Sequence, residues 1–290
     1  MIKFSNGYKF EHMAASGALG FDGKGWFWEK PLEKLKLLEP SLFTVVIKTL
    51  TRFPRKGNLK WSLPFKSVCL VPGGVINAVG LTNLGIEWWC QEVGPKIEQS
   101  KISLVGSIFS MNIEDLVQMA IMLNEFDLKA LEINVSCPNS KDGMLETEKI
   151  VGACQRIREK SRLPLILKLS VSMVNNLEII PSLEGLVEAI SINSVPWGMI
   201  FPRKQSPLAH LGGGGISGKI AQPVTWDFLK RLKEKTSIPI IGPSVWNFED
   251  IEKLRKLGAE AISFGSIFLL YPWRPTLFVR KDKRLRNIKI

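Results

Sequence analysis

A single-domain (β/α)8 barrel spanning residues 1–290 is the fold this sequence predicts, with a doubly wound sheet as the lesser alternative. Three observations carry it. Short apolar runs recur along the chain, most of the later ones are separated by amphipathic helical patterns, and no linker or low-complexity stretch divides the 290 residues. The runs are "MAASG", "FTVVIKT", "ISLVGSIFS", "ALEINVSC", "PLILKLS", "VEAISINS", "IPIIGPS" and "EAISFGS". They are continuous rather than alternating, as parallel strands buried on both faces should be. Helices are expected at "IEDLVQMAIMLNEF", "ETEKIVGACQRIREK", "SLEGLVEA", "TWDFLKRLKEK" and "FEDIEKLRKLG".

Residues 50–85 do not fit a simple connection. They are rich in Pro and Gly, and an insertion of that length over the C-terminal face is expected to be a functional loop or lid.

Composition narrows the function classes. Hydrophobic residues make up 45%, which is ordinary for a globular chain with 24 Gly and 17 Pro. No apolar run is long enough to span a membrane, and the N-terminal stretch lacks the apolar segment of a secretory signal, so a cytoplasmic protein is expected. The net charge is +12. Much of that excess sits in the basic tail at about 280–290, read as a solvated terminus, and no nucleic-acid module accompanies it. The four cysteines show no metal spacing. Cys154 reads as a packing residue in a helix, while Cys69 and Cys90 fall in or near the long insertion.

In such barrels the site forms at the C-terminal ends of the strands. There the sequence places Ser16, Lys48, Thr49, Asn134, Cys137, Asn139, Lys168, Asn193 and Ser194. Lys48 and Lys168 each end an apolar run with no acid nearby in the local sequence, so a ligand is expected as their counter-group. "HLGGGGISGK" is neither a dinucleotide fingerprint nor a P-loop and reads as a phosphate-binding loop. Gly242, Ser244, Gly265 and Ser266, after the last two strands, are further phosphate candidates. Cys137 can serve as a general base. Asn77, Asn134, Asn139 and Asn193 together suit a planar, imide-like substrate.

"INVSCPN", "VIKTLT", "RKGN", "NAVGLTNLG", "ILKLS", "SINS", "GGGGISGKIAQP", "IPIIG" and "AISFGS", in this order, resemble the dihydroorotate dehydrogenase family. The resemblance runs from "AASG" to "FGS", nearly the whole chain. It implies a TIM barrel holding FMN at the strand ends and oxidising dihydroorotate to orotate in pyrimidine biosynthesis, with hydride passing to FMN and Cys137 as base. A cysteine there resembles the class 1 enzymes.

The resemblance further implies that Lys48 lies between flavin and substrate and that Lys168 binds the flavin ring. Asn77, Gly80, Leu81, Asn134, Asn139, Asn193 and Ser194 would surround the substrate. Ser16, Thr49, Asn134, Ile192, Gly218, Gly242, Ser244, Gly265 and Ser266 would contact FMN. A homodimer is implied, with fumarate, a quinone or an iron–sulfur flavoprotein subunit as electron acceptor.

The sequence departs from the family where "IIGPSVW" replaces its usual G-x-G-G, because Pro243 has no N–H to offer a phosphate. It departs again in the tryptophan-rich "GALGFDGKGWFWEKP" and in the stretch after "SINS". Two other readings therefore stand beside the first: a flavin oxidoreductase acting on another dihydropyrimidine, and a non-catalytic barrel with weakened FMN binding.

Overall fold

A computed structural model of the protein describes residues 1–60, 63, 66–97, 101–135 and 147–287. Each apolar run contributes one strand of a parallel barrel: β1 (His12–Ala14), β2 (Thr44–Val46), β3 (Ser103–Ile108), β4 (Leu128–Asn134), β5 (Leu165–Leu169), β6 (Ala189–Ile192), β7 (Ile241–Gly242) and β8 (Ala261–Phe264). The spatial order is β6-β5-β4-β3-β2-β1-β8-β7. A parallel bridge from Ile190 to Ile240 then closes the ring, with the Ile190 amide donating to the Pro239 carbonyl at 2.9 Å.

The barrel interior is layered. Met13, Val46, Val105, Ala130, Ile166, Ala189, Ile241 and Ala261, one from each strand, pack into a single buried cluster. A hairpin formed by Ile2–Lys3 and Lys9–Phe10 adds Ile2, Phe4 and Phe10 to that cluster and plugs the bottom. Side chains alternate faces along a strand, so the next inward positions lie two residues on. Those positions are Ala15, Lys48, Ser107, Glu132, Lys168, Ser191, Pro243 and Ser263. They are largely polar.

Helices α1 (Ile113–Leu123), α2 (Thr147–Lys160), α3 (Gln222–Lys235) and α4 (Glu249–Lys256) occupy the stretches expected of them. The side chain of Asn112 caps α1 by accepting from the Glu114 amide at 2.8 Å, and Leu116, Met119, Ala120 and Leu123 form its buried face. "SLEGLVEA" is not a helix. The connection after β5 is a 3-10 helix, Val171–Leu183, that holds Pro181, and Gly185 just beyond it takes φ 78°. Both features stop an α-helix in that stretch.

Residues 280–287, expected as a solvated tail, are instead the last turns of α5 (Arg274–Asn287). The helix is docked at the N-terminal end of β1. Buried Asp282 accepts from His12 Nε2 at 2.8 Å and from Arg255 at 2.7 and 2.6 Å, and Arg286 pairs with Glu11. Among the described residues, no helix is long and apolar enough to cross a membrane.

The described part of the insertion forms regular structure. Its strands Val68–Val71 and Gly74–Asn77 form a hairpin that joins Gly215–Gly218 and Val195–Pro196 in a four-stranded antiparallel sheet. The glycine run read as a phosphate loop is thus mostly a strand and its approach. Gly218, at φ 102°, has no room for a side chain, because a Cβ there would lie 2.8 Å from the Gly73 carbonyl oxygen.

Candidate active site

Between the strand ends and this cap sheet lies a cavity of about 1080 Å³. It is lined by Ser16, Lys48, Thr49, Asn77, Gly80, Leu81, Asn134, Lys168, Ile192, Asn193, Ser194, Gly218, Ser244, Gly265 and Ser266 from the sequence reading. Residues from the cap, from seven strand ends and from the loops between them therefore meet at one place. Cys137 and Asn139 lie outside the described residues.

Gly242 is not part of the lining. It sits within β7, where an added Cβ would be 2.8 Å from the Ala259 Cβ and 3.1 Å from Leu254, so its glycine serves packing against α4.

The floor corrects one expectation. Lys168 does have an acid: its Nζ lies 3.2 Å from Glu132 Oε1, and the two side chains are 10% and 1% exposed. The partner was hidden because it comes from the neighbouring strand. The register pairs Asn134 with Lys168 and Lys168 with Ser191, which places the amide, the ammonium and the hydroxyl side by side on β4, β5 and β6. A chain of hydroxyls continues from Glu132 through Ser107 at 3.0 Å, Thr49 at 2.9 Å and Ser16 at 2.9 Å.

Opposite this floor the cap supplies Asn77, whose strand position pairs it with Val68 and Gly215. Beside it, the Gly80 carbonyl accepts from Arg55 Nε at 3.1 Å, and the Leu81 carbonyl accepts from Asn83 Nδ2 at 2.6 Å. Asn193 is held by its amide donating to Leu169 O at 2.8 Å, while its Oδ1 accepts from the Ser194 amide at 2.8 Å.

Among the described residues three non-glycine positions have positive φ, and two of them, Leu81 (58°) and Ser244 (65°), line this cavity. Left-handed backbone at ordinary residues costs energy and tends to gather at functional sites. Ser244 thereby takes up the backbone shape a glycine would provide in "IIGPSVW". The segment is pinned around it: Trp226 Nε1 donates to Pro243 O at 3.2 Å, and Gln222 Nε2 donates to Ser244 O at 2.9 Å. The next amides, Trp246 and Asn247, are taken by Asp250 Oδ2 at 3.0 and 2.8 Å. Candidate anion-holding groups at this end are therefore Ser244, Val245, Gly265, Ser266 and Gly218, all of which line the cavity.

A model of one protein family, described as dihydroorotate dehydrogenase, matches residues 10–270. The chain belongs to the dihydroorotate dehydrogenase family. Its curated relatives include proteins named dihydroorotate dehydrogenase B (NAD(+)), catalytic subunit. The one from Geobacillus sp. (strain WCH70) is 29% identical over 90% of this chain and 82% of its own length. That from Bacillus mycoides (strain KBAB4) is 30% identical over 80% and 76%, and that from Bacteroides fragilis (strain YCH46) is 28% identical over 79% and 76%. As a member of the dihydroorotate dehydrogenase family the protein is an oxidoreductase acting on CH–CH donors, built on a TIM barrel.

Several residues in and beneath this cavity escaped the sequence reading. Glu132, Ser107 and Ser191 were legible only as polar interruptions in otherwise apolar strands. Trp26 and Trp28 line the cavity, stacked 5.5 Å apart with their planes 8° from parallel. Glu29, also in the lining, accepts from the Trp26 amide at 2.8 Å, and burial raises its carboxyl to about 7. Cys69, from the insertion, is in the lining, whereas burial lifts the thiols of Cys90 and Cys154 to about 11 and about 12. Those two are poor nucleophiles at neutral pH.

Proposed function

We propose that the chain oxidises dihydroorotate to orotate with FMN held in this cavity, as the catalytic subunit of an enzyme that passes electrons onward through a partner subunit. The observation that carries this reading is the convergence of Lys48, Lys168, Asn134, Asn193 and Asn77 on one cavity at the ends of the strands. The described lining fits FMN chemically. Amide side chains, lysines and hydroxyls suit the polar edge of a flat heterocycle. Ser244, Gly265 and Ser266, clustered after β7 and β8, suit a phosphate without calling on the missing N–H of Pro243.

FMN, when bound, supplies the two-electron acceptor for the hydride that leaves the substrate ring. Asn77, Asn134, Asn139, Asn193 and Ser194 orient the pyrimidine by hydrogen bonds to its imide edge. Lys48 contributes positive charge where flavin and substrate meet, and Lys168 where the reduced ring becomes anionic. Cys137, as thiolate, takes the ring proton adjacent to the departing hydride onto its sulfur. The cap sheet closes over the site and excludes water, which strengthens these electrostatic contacts.

The relatives are named NAD(+)-type catalytic subunits, which supports electron transfer through a partner subunit, an iron–sulfur flavoprotein in this reading, over fumarate or a quinone. A homodimer of this chain in the cytoplasm completes the reading.

Purified protein should be yellow and should bleach on anaerobic addition of dihydroorotate. A colourless preparation that cannot be reconstituted with FMN would defeat the proposal. Cys137→Ala should keep FMN and bind orotate while flavin reduction slows by about 10²–10⁴-fold; unchanged reduction kinetics would remove Cys137 from the role. The stacked Trp26 and Trp28 favour one second reading, a different dihydropyrimidine, since they extend the wall with apolar surface. Bleaching by dihydrouracil but not by dihydroorotate would establish it.

A further inference from the structure

We propose that Glu132 is a positioning residue of the cavity floor, which fixes the Lys168 ammonium and offsets its charge beneath the ring that the cavity holds. This rests on the FMN reading above.

Glu132 is 0% exposed and uses both oxygens. Oε1 accepts from Ser107 Oγ at 3.0 Å and from Lys168 Nζ at 3.2 Å, and Oε2 accepts from Ser191 Oγ at 3.0 Å. Its partners stand on β3, β5 and β6, so one carboxylate on β4 links four adjacent strands at one level. A buried ion pair is seldom retained for stability, because a well-packed apolar pair serves as well or better. The apolar layer one pleat below closes the same barrel with no charge at all. The carboxylate is therefore placed for what lies above it.

It also sets proton directions. Ser107 gives its hydroxyl proton to Glu132, so Thr49 must be the donor across the 2.9 Å contact with Ser107. Ser16 in turn donates to the Ile47 carbonyl at 2.9 Å or to Thr49. The protons of Thr49 and Ser16 are thus committed within the floor, and what the cavity meets is oxygen lone pairs. With the carboxylate present, Lys168 can hold a polar ring edge by hydrogen bonding while adding little net positive charge. Without it, the ammonium loses this counter-charge in a low-dielectric floor, where a charge acts far more strongly than in water.

Glu132→Gln keeps the volume and removes the charge. In the FMN-loaded protein it should shift the flavin equilibrium toward the reduced, anionic form by about tenfold, about 30 mV more positive for a two-electron couple, read by titration against a reference dye. In a Lys168→Met background, with no ammonium to hold in place, the same substitution should shift the potential clearly less. A wild-type potential in Glu132→Gln, or an equal shift in both backgrounds, would overturn the inference.

Thermal unfolding without flavin tests the pair separately. Glu132→Gln should lower the midpoint, and adding Lys168→Met should restore most of the loss; no restoration would also overturn it. Should Glu132→Gln fail to fold, folding of the double variant supports the pairing and its failure overturns it. If wild-type protein takes up no FMN, the FMN reading fails at the first step, while the unfolding cycle still decides whether Glu132 positions Lys168.

Discussion

Two layers of side chains inside the barrel lie one pleat apart and have opposite characters. The lower one, from Met13 round to Ala261, is apolar and sealed by the N-terminal hairpin. The upper one holds Ser107, Glu132, Lys168, Ser191 and Ser263 within the same parallel ladders, with Lys48 just past the end of β2. The β-ladder therefore does not distinguish bottom from top. Inward side chains do: the lower set drives closure by burial, while the upper set trades some of that stability for fixed charges and hydrogen-bond donors at the cavity floor.

Breaking each layer should give different signatures, and the largest effect belongs to the upper one. Glu132→Ala leaves Lys168 buried beside a void where its carboxylate had been, and should cost about 3–5 kcal/mol of stability. Replacing both Glu132 and Lys168 with Leu and Met should recover most of that in chemical denaturation while weakening FMN binding. In the lower layer, Ile166→Ala should cost about 2–5 kcal/mol through the cavity it leaves. There the expected loss is in unfolding midpoint alone, with FMN and orotate affinities unchanged. Loss of ligand affinity in Ile166→Ala, at a temperature where it is fully folded, would show that the layers are not separable.

The layering also explains what could be read from the chain. All eight strands were visible because each is a continuous apolar run, and the strand-end residues gathered in the cavity because barrel topology brings those ends together. The Lys168 counter-ion was not visible, since Glu132 lies on another strand and only the pairing of β4 with β5 brings the two side chains within reach. The cap sheet was missed for a similar reason: its strands come from segments about 140 residues apart, and antiparallel pairing over that distance leaves no local pattern. Gly242 was misplaced because a strand-end glycine reads alike whether it faces a ligand or a helix. Ser244 shows the reverse, a serine holding a left-handed backbone that composition assigns to glycine.

The two ends of the barrel each carry a buried carboxyl, and these should answer to pH in opposite senses. At the bottom, burial alone would raise Asp282, but hydrogen bonds from Arg255 and His12 and their charge hold it well below its ordinary value of 3.8. A depressed carboxyl stabilises the fold above its unfolded value and stops doing so as pH falls toward the folded one. Asp282→Asn should therefore lose about 2 kcal/mol at pH 7, and the gap to wild type should narrow only in strong acid. Equal destabilisation at pH 7 and pH 2 would mean that geometry rather than charge holds α5 in place.

At the mouth the smallest effect is expected, from Glu29, whose carboxyl burial raises from 4.5 to about 7. Between those values the folded chain binds more protons than the unfolded one, so stability falls as pH rises through that window and stays level above it. Glu29→Gln keeps an oxygen for the Trp26 amide and removes the ionisation. The variant should match wild type near pH 4 and gain up to a few °C in melting temperature at pH 8. A difference constant across that range would mean that Glu29 titrates normally and that water from the cavity reaches its carboxyl. The Trp26 and Trp28 stack above it would then stand open to solvent, and the mouth would be wetter than the floor beneath.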